Sequence, residues 1–488
     1  MQQALAKFVP SASEPWDRAR AAHLLNRAGF GGRPEEIDRV VRMGMDAAVD
    51  ELMAFDRVPE TLAPPDFSAV RAAWAATTAL TPANSTEQQR FEARVAAQRL
   101  DNQKLQELRE WWTAHMIRTR RPLQERMVLF WHGLLVSGRP EVRLSETLYI
   151  QNALFRRMAL GNYKTLVLEI CRDPAMLQYL DNESNRKGRP NENFARELLE
   201  LFTLGLGHYT EQDVKEAARA FTGWTRRGTA FFFDARQHDD GPKTFLGRTG
   251  NLDGGDIVDI VFAQPAAARF LPRRLFEAFA YMRPEEEVTE ALAEVFRASN
   301  FEVAPVVRAV LTSRAFYSPR AMRTQVKSPV QLVVGAVRQL GLEDPPLAPL
   351  VRAMDLMGQA LFIPPHVGGW PRGESWITTS TLLARYNFSG LLLTGGMPGV
   401  ARRAALPPAL PPAAARACEA ARTAGEVVDR LVDRLAVGGL GPDRRGALVG
   451  ALGATDAAAP FALDGAESER RVRSTLHLLM CTPEYQLA

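Results

Sequence analysis

Apolar residues recur at helical spacing along most of this 488-residue chain, and strand-like patterning is confined to one short region. From Trp16 to about Met53, the residues Ala21, Leu24, Leu25 and Ala28 mark a helix. Gly29-Phe30-Gly31-Gly32 breaks it, and Pro34 restarts one, proline being suited to a first helical turn. Residues 57–85, rich in Pro, Ala and Thr, predict loop with one short helix. A long helix is expected from roughly Thr86 to Thr119, with Trp111, Trp112, His115 and Met116 on its apolar face. Arg118, Arg120 and Arg121 near its end complement the helix dipole. Pro122 opens the next helix, striped by Met127, Phe130, Trp131 and Leu134, and Asp173-Pro174 is a further start signal. Thr210-Glu211-Gln212-Asp213 has the capping-box pattern. Helical patterns return from Gly255 to about Leu340, over Asp344–Ala360 and Glu374–Phe388, and again beyond Ala417. The exception is 229–247, where Phe231-Phe232-Phe233 and Thr244-Phe245-Leu246 flank the turn sequence Asp239-Asp240-Gly241-Pro242 and predict a single β-hairpin. The expected fold is mainly α. A helical body over 1–404 contains the hairpin excursion, a Pro/Ala linker occupies 405–416, and a helical cap over 417–488 packs on the body.

One stretch organises the rest, Asp181 to Gly205. It opens as a polar loop of turn formers and continues after Pro190 as a helix that stops near Gly205. On a helical wheel Phe194, Leu198, Leu201, Phe202 and Gly205 share one face, widened by Leu199 and Leu204. Glu197 falls inside that apolar arc, between the directions of Leu201 and Leu204. A carboxylate there must be paired, hydrogen-bonded or protonated, because burying it alone is costly. Arg196 reaches Glu192 and Glu200 at i−4 and i+4, and Asn193 lies one turn before Glu197.

Three constellations carry candidate chemistry. In the first, Glu192, Glu197 and Glu200 with Asp181 are candidates for an acid–base pair or for holding a divalent metal. Asn182, Asn185, Asn193 and Arg196 beside them suit substrate binding, since side-chain amides recognise sugars and peptides. The competing reading is a salt-bridge network centred on Arg196 that tethers the loop. In the second, His238, Asp239 and Lys243 on a polar turn form a general acid/base site that closes over the organising loop; the alternative is a solvated turn. In the third, Gly368-Gly369-Trp370-Pro371 with Trp376 combines glycines that permit close backbone approach with tryptophan stacking faces, as at a carbohydrate or peptide cleft. A buried aromatic corner is its alternative. His132 is a further candidate catalytic group. None of these is complete alone, so the Asp181–Glu200 stretch, His132 and the His238–Lys243 turn are expected to share one cleft.

Composition narrows the classes. The chain is 46% hydrophobic and 24% charged, an ordinary globular balance. Its 60 basic and 56 acidic residues are dispersed, so the net charge of +4 predicts no nucleic-acid partner. Cys171, Cys418 and Cys481 lie too far apart for metal-ligand spacing or a disulfide framework. No stretch is long and apolar enough for a membrane span, and residues 1–10 lack the apolar region of a secretory signal. The expected location is the cytoplasm, or outside it in the company of an exported partner. No phosphate-cradling glycine loop, dinucleotide fingerprint, Gly-x-Ser-x-Gly elbow or His-Glu-x-x-His pair is present.

Several ordered motifs resemble those of the bacterial domain of unknown function 1800 family. They are His23 to Gly31, Phe130-Trp131-His132, the Asp181–Gly205 stretch, Tyr209-Thr210-Glu211 through Gly223-Trp224, and His238 to Lys243. Val326-Lys327-Ser328-Pro329, Gly368-Gly369-Trp370-Pro371 and Pro483-Glu484-Tyr485-Gln486 complete the set. In many relatives a second histidine follows His132 by two residues; Leu134 stands there in this chain, which counts against a two-histidine metal site. The resemblance leaves two function classes open. One is a hydrolase-like or metal-assisted enzyme that acts on a polymeric or glycosylated substrate through a polar cleft. The other is a non-catalytic accessory or binding subunit of a sulfatase-like partner, the domain of unknown function 1501 family, whose members carry export signals.

Overall fold

The Pro122–Leu134 helix sits at the centre of the molecule, with Leu123, Met127, Val128 and Trp131 sealed from solvent. It packs on the helices Met45–Met53 and Ser145–Arg157. The computed structural model describes residues 5–60, 62–394, 410–435 and 438–488 and contains twenty-three α-helices among them, with four short strands. The long helix runs from Glu87 to Arg118, where Thr86 and Gln89 form a reciprocal capping box. It lies against Ser68–Ala79, Ser145–Arg157, Pro329–Leu340 and Leu347–Leu356. Asp173 caps the Pro174–Tyr179 helix and Thr210 caps Glu211–Ala220, each at its expected start signal. Among the described residues no helix is long and apolar enough to cross a membrane.

The C-terminal helices fold back onto the earlier chain. Pro412–Glu419 packs on Pro329–Leu340, and Ala466–Met480 on Thr379–Thr394. Buried Arg385 ties the two parts by donating to Gln486 Oε1 (3.1 Å) and to the Lys327 carbonyl (2.8 Å). Of the expected linker, residues 405–409 lie outside the described residues, while Pro412 begins a helix. Cys171, Cys418 and Cys481 are free thiols, the first two buried.

The expected hairpin over 229–247 is instead the junction of two hairpins. Strand β1 (Trp224–Arg227) pairs with β2 (Ala230–Phe233), and β3 (Lys243–Phe245) pairs with β4 (Arg248–Gly250), all antiparallel. Asp239-Asp240-Gly241-Pro242 lies between the two sheets. Each strand pairs with its nearest neighbour in sequence because Gly228 (φ +62°) and Leu246-Gly247 (φ +45° and +79°) supply the left-handed residues of two-residue turns. Closing so short a loop costs less entropy than closing the longer one the alternation suggested.

The organising helix also differs from its wheel. Asn193–Glu197 is α-helical, but Leu198–Thr203 is a π-helix, with the Thr203 hydroxyl donating to the Leu198 carbonyl five residues back (2.6 Å). A wider turn rotates each later side chain by less than the α-helical 100°, so Leu199 becomes fully buried and Leu201 stays half-exposed. Glu197 is left at the half-buried margin.

The core of the body is not wholly apolar. Glu125 is completely buried and receives Arg156 Nε (2.5 Å) and a second Arg156 nitrogen (3.0 Å), with Trp112 Nε1 at 2.9 Å. His115 Nε2 lies 3.1 Å away. Burial alone would raise the Glu125 carboxyl, but Arg156 and His115 hold it well below the usual range. Removing one member of such a pair orphans a buried charge, so Glu125→Ala is expected to destabilise the fold by about 3–5 kcal/mol in a denaturant titration.

Candidate functional site

The residues singled out in the sequence fall in three places. The organising loop and the His238–Lys243 turn are brought together. Lys187 N–H donates to the Gln237 carbonyl (2.7 Å), Lys187 Nζ approaches Asp240 at 3.4 Å, and Gly223 N–H donates to the Asn185 carbonyl (3.1 Å). Most polar groups there are occupied. Buried Asn182 donates to the Trp224 carbonyl (2.9 Å), and buried Asn185 to the Ala218 carbonyl (2.8 Å). Asn193 donates to the Leu180 carbonyl (3.3 Å). Arg196 holds Glu211 through two nitrogens (2.7 and 2.8 Å) and Glu192 at 3.1 Å, while Glu200 accepts from the Tyr209 hydroxyl (3.1 Å). His238 Nδ1 donates to the Thr222 carbonyl (2.8 Å). Arg219 binds Asp239 (2.8 Å) and holds its carboxyl down at about 2. Lys243, buried, donates to the Asp239 (2.5 Å) and Gly241 (3.1 Å) carbonyls, and burial lowers its ammonium.

Two groups in this region depart from that pattern. Asp181 is exposed and left-handed (φ +56°), unusual for a residue with a side chain. Among the described residues the Glu197 side chain makes no hydrogen bond or ion pair, which corrects the expected partner. Burial and neighbouring Glu200 raise its carboxyl, and Arg196 opposes them. Among the described residues no three His, Cys, Asp or Glu side chains are gathered to hold a metal ion, so Asp181, Glu192, Glu197 and Glu200 do not form such a set.

His132 is elsewhere. It is 2% exposed, ringed by Trp112, Phe155 and Phe362, and accepts from Asn152 Nδ2 (3.1 Å) at Nε2. Burial and Arg156 push its imidazolium down to about 3, against Glu125. The structure therefore places His132 in the core, where its ring contacts and hydrogen bond come from Trp112, Asn152, Phe155 and Phe362 and not from the loop or the turn.

The third place is a cavity of about 120 Å³ on the opposite side of the same helix. Phe130, Gly133, Ser328 and Trp370 line it, so three of the sequence motifs converge there. Gly369 permits this: its φ is +84°, and a Cβ would sit 2.5 Å from the Gly133 carbonyl oxygen. Trp370 is fixed by donating to the Ala360 carbonyl (3.2 Å), and Trp376 closes another wall. Three arginines line the space, Arg126, Arg274 and Arg372, with Glu277 as the sole acid among the lining residues. Arg274 reaches Glu277 at 3.8 Å. Arg126 has one side-chain bond, to the Arg27 carbonyl (3.3 Å), and the Arg372 guanidinium has no hydrogen bond or ion pair among the described residues. Burial pushes Arg126 down to about 10; burial and nearby Arg274 do the same to Arg372, against Glu277. The sequence reading missed these arginines because they come from three separate segments. Arg372 stood two residues from Trp370, and Arg126 lay one turn before Phe130.

The model of a family described as a protein of unknown function, DUF1800, matches residues 23–487. The chain belongs to the DUF1800 family. No curated protein and no solved structure matches it. The DUF1800 motifs thus divide here between a tied polar surface, a buried histidine and an arginine-lined cavity.

His132 gives a pH signature. With about 3 in the folded state and about 6.5 unfolded, the unfolded chain binds the extra proton between those values, so stability falls as pH drops through that window. His132→Gln keeps an acceptor for Asn152 and removes this slope. Stability against pH, followed by denaturant titration, is expected to flatten by up to about 5 kcal/mol across the window. Glu197→Gln is expected to leave stability within about 0.5 kcal/mol or raise it. A loss on the order of 3 kcal/mol would reveal a partner for the native carboxylate.

Proposed function

We propose that this DUF1800 chain is a binding subunit that holds an anionic, ring-bearing part of a polymeric or glycosylated substrate in the Arg126–Arg274–Arg372 cavity. The observation that carries the reading is the charge count: three half-buried guanidiniums face one carboxylate. An unpaired cation taken from water is costly, and an oxyanion with planar hydrogen-bonding geometry offsets that cost. The aromatic walls suit a ring, and the volume, room for roughly ten waters, suits one ring. Among the described residues that line this cavity Glu277 is the only carboxylate and there is no histidine, so binding rather than bond cleavage is the role they support. Presentation of the ligand to a sulfatase-like partner of the domain of unknown function 1501 family fits this role.

The hydrolase reading rests on a different observation. Glu197 is raised by burial and by Glu200, which lies on the adjoining π-helical segment, and the same stretch holds a left-handed Asp181; π-helices and strained residues concentrate at working sites. That surface and the cavity are separable by mutation.

Arg372→Gln removes an unpaired charge, so the variant is expected to keep its stability within about 0.5 kcal/mol. Its affinity for galacturonic acid, measured by calorimetry, is expected to fall at least tenfold, the order of one charge-assisted contact. Galactose, without the carboxylate, is expected not to bind. Equal affinity of wild type and variant, or no saturable binding of any anionic saccharide, would overturn the reading.

A further inference from the structure

A second cavity, of about 480 Å³, opens where the chain leaves the π-helix at Leu204–His208 and meets the Pro265–Phe279 helix. Arg274 and Glu277 line both cavities, so the two meet across one turn of that helix. The second cavity repeats the composition of the first. Phe270 supplies an aromatic face, with the Arg274 guanidinium 5.8 Å from its ring centre. Leu206 supplies an apolar surface that is 74% exposed.

The charges are uneven across both cavities. Arg269, at the outer wall, is already neutralised by Glu286 and Glu290. Arg273 has Glu277 alone, at 3.4 Å, and Arg274 approaches the same carboxylate at 3.8 Å. Among the described residues Arg126 and Arg372 form no ion pair, and the only acid that acts on Arg372 is the shared Glu277. Four guanidiniums therefore run from one cavity into the next against a single carboxylate. Each cavity sets an aromatic wall beside a guanidinium that shares Glu277 with others, and the two meet at Arg274 and Glu277.

We infer that the ligand is an acidic oligosaccharide of two or more rings that spans both cavities. One ring's oxyanion lies on Arg126 and Arg372, and the next ring crosses Arg274 onto Phe270 and Arg273. The inference rests on the binding reading above and adds the polymeric class and its second subsite. Carboxylate and sulfate share the required chemistry, an oxyanion carried on a sugar ring.

Calorimetry with galacturonic acid, tetragalacturonate, a heparin-derived tetrasaccharide and tetraglutamate, on wild type, Leu206→Asp and Arg372→Gln, tests it. At least one tetrasaccharide is expected to bind tenfold or more tighter than the single ring, and which one does so identifies the oxyanion. Leu206→Asp places a negative charge on an exposed position of the second cavity. It is expected to erase the gain with length and leave galacturonic acid unaffected, whereas Arg372→Gln weakens both. Absence of a gain with length, or a gain that survives Leu206→Asp, overturns the inference and leaves the binding reading standing. Tetraglutamate binding as tightly as the better tetrasaccharide overturns the saccharide class. Failure of every anionic saccharide to bind removes the binding reading itself.

Discussion

A carboxylate removed from water must have its lone pairs satisfied, and Glu125 meets that demand from two other helices. Arg156 comes from Ser145–Arg157 and Trp112 from Glu87–Arg118, which also brings His115 Nε2 within 3.1 Å. Arg156 also donates to Asn152 (2.9 Å), which in turn donates to His132, so the network extends along the Pro122–Leu134 helix. Apolar packing tolerates small slides between helices, whereas these bonds are directional and do not. The rotation of the Pro122–Leu134 helix is thereby set, with Glu125 and His132 inward and Arg126, Phe130 and Gly133 toward the cavity.

The same contrast between satisfied and unsatisfied charge separates the tied loop surface from the arginine-lined cavity. In the organising loop the amides, Arg196, Asp239 and Lys243 are used to hold backbone or neighbouring side chains. Those groups stitch a segment with little regular structure onto the Glu211–Ala220 helix. Around the cavity the balance is reversed, and the guanidiniums outnumber their acids. A fold that keeps uncompensated cations half-buried gives up stability there, a common feature of sites shaped for a ligand. Glycine at 369 has the parallel role for the backbone, since any side chain would drive the Trp370 loop away from Gly133.

Helix boundaries were legible in the sequence wherever a local signal exists. Thr86, Asp173 and Thr210 cap helices through side chains that reach their own first turns, and Pro34 and Pro122 start helices through their fixed φ. The wheel placed Phe194, Leu198, Leu199, Phe202 and Leu204 in the core as found and missed at Leu201 and Glu197, because the π-turn at Leu198–Thr203 changes the angular step and no residue type announces it. The hairpins were misjoined because alternation marks strands without saying which partner each takes, and short turns at Gly228 and Gly247 decided that.

For the site, the sequence by itself determined which residues could react and which motifs the chain shares with the DUF1800 family. It also singled out Trp370, whose wall position follows from the adjoining glycines. Only the tertiary structure decided that His132 faces the core, that Asn182 and Asn185 bind backbone, and that Arg126, Arg274 and Arg372 converge. The reason is physical. Caps, turns and periodicity are set by neighbours a few residues away, whereas burial of a charge depends on side chains hundreds of residues apart, and no local pattern encodes which of them meet.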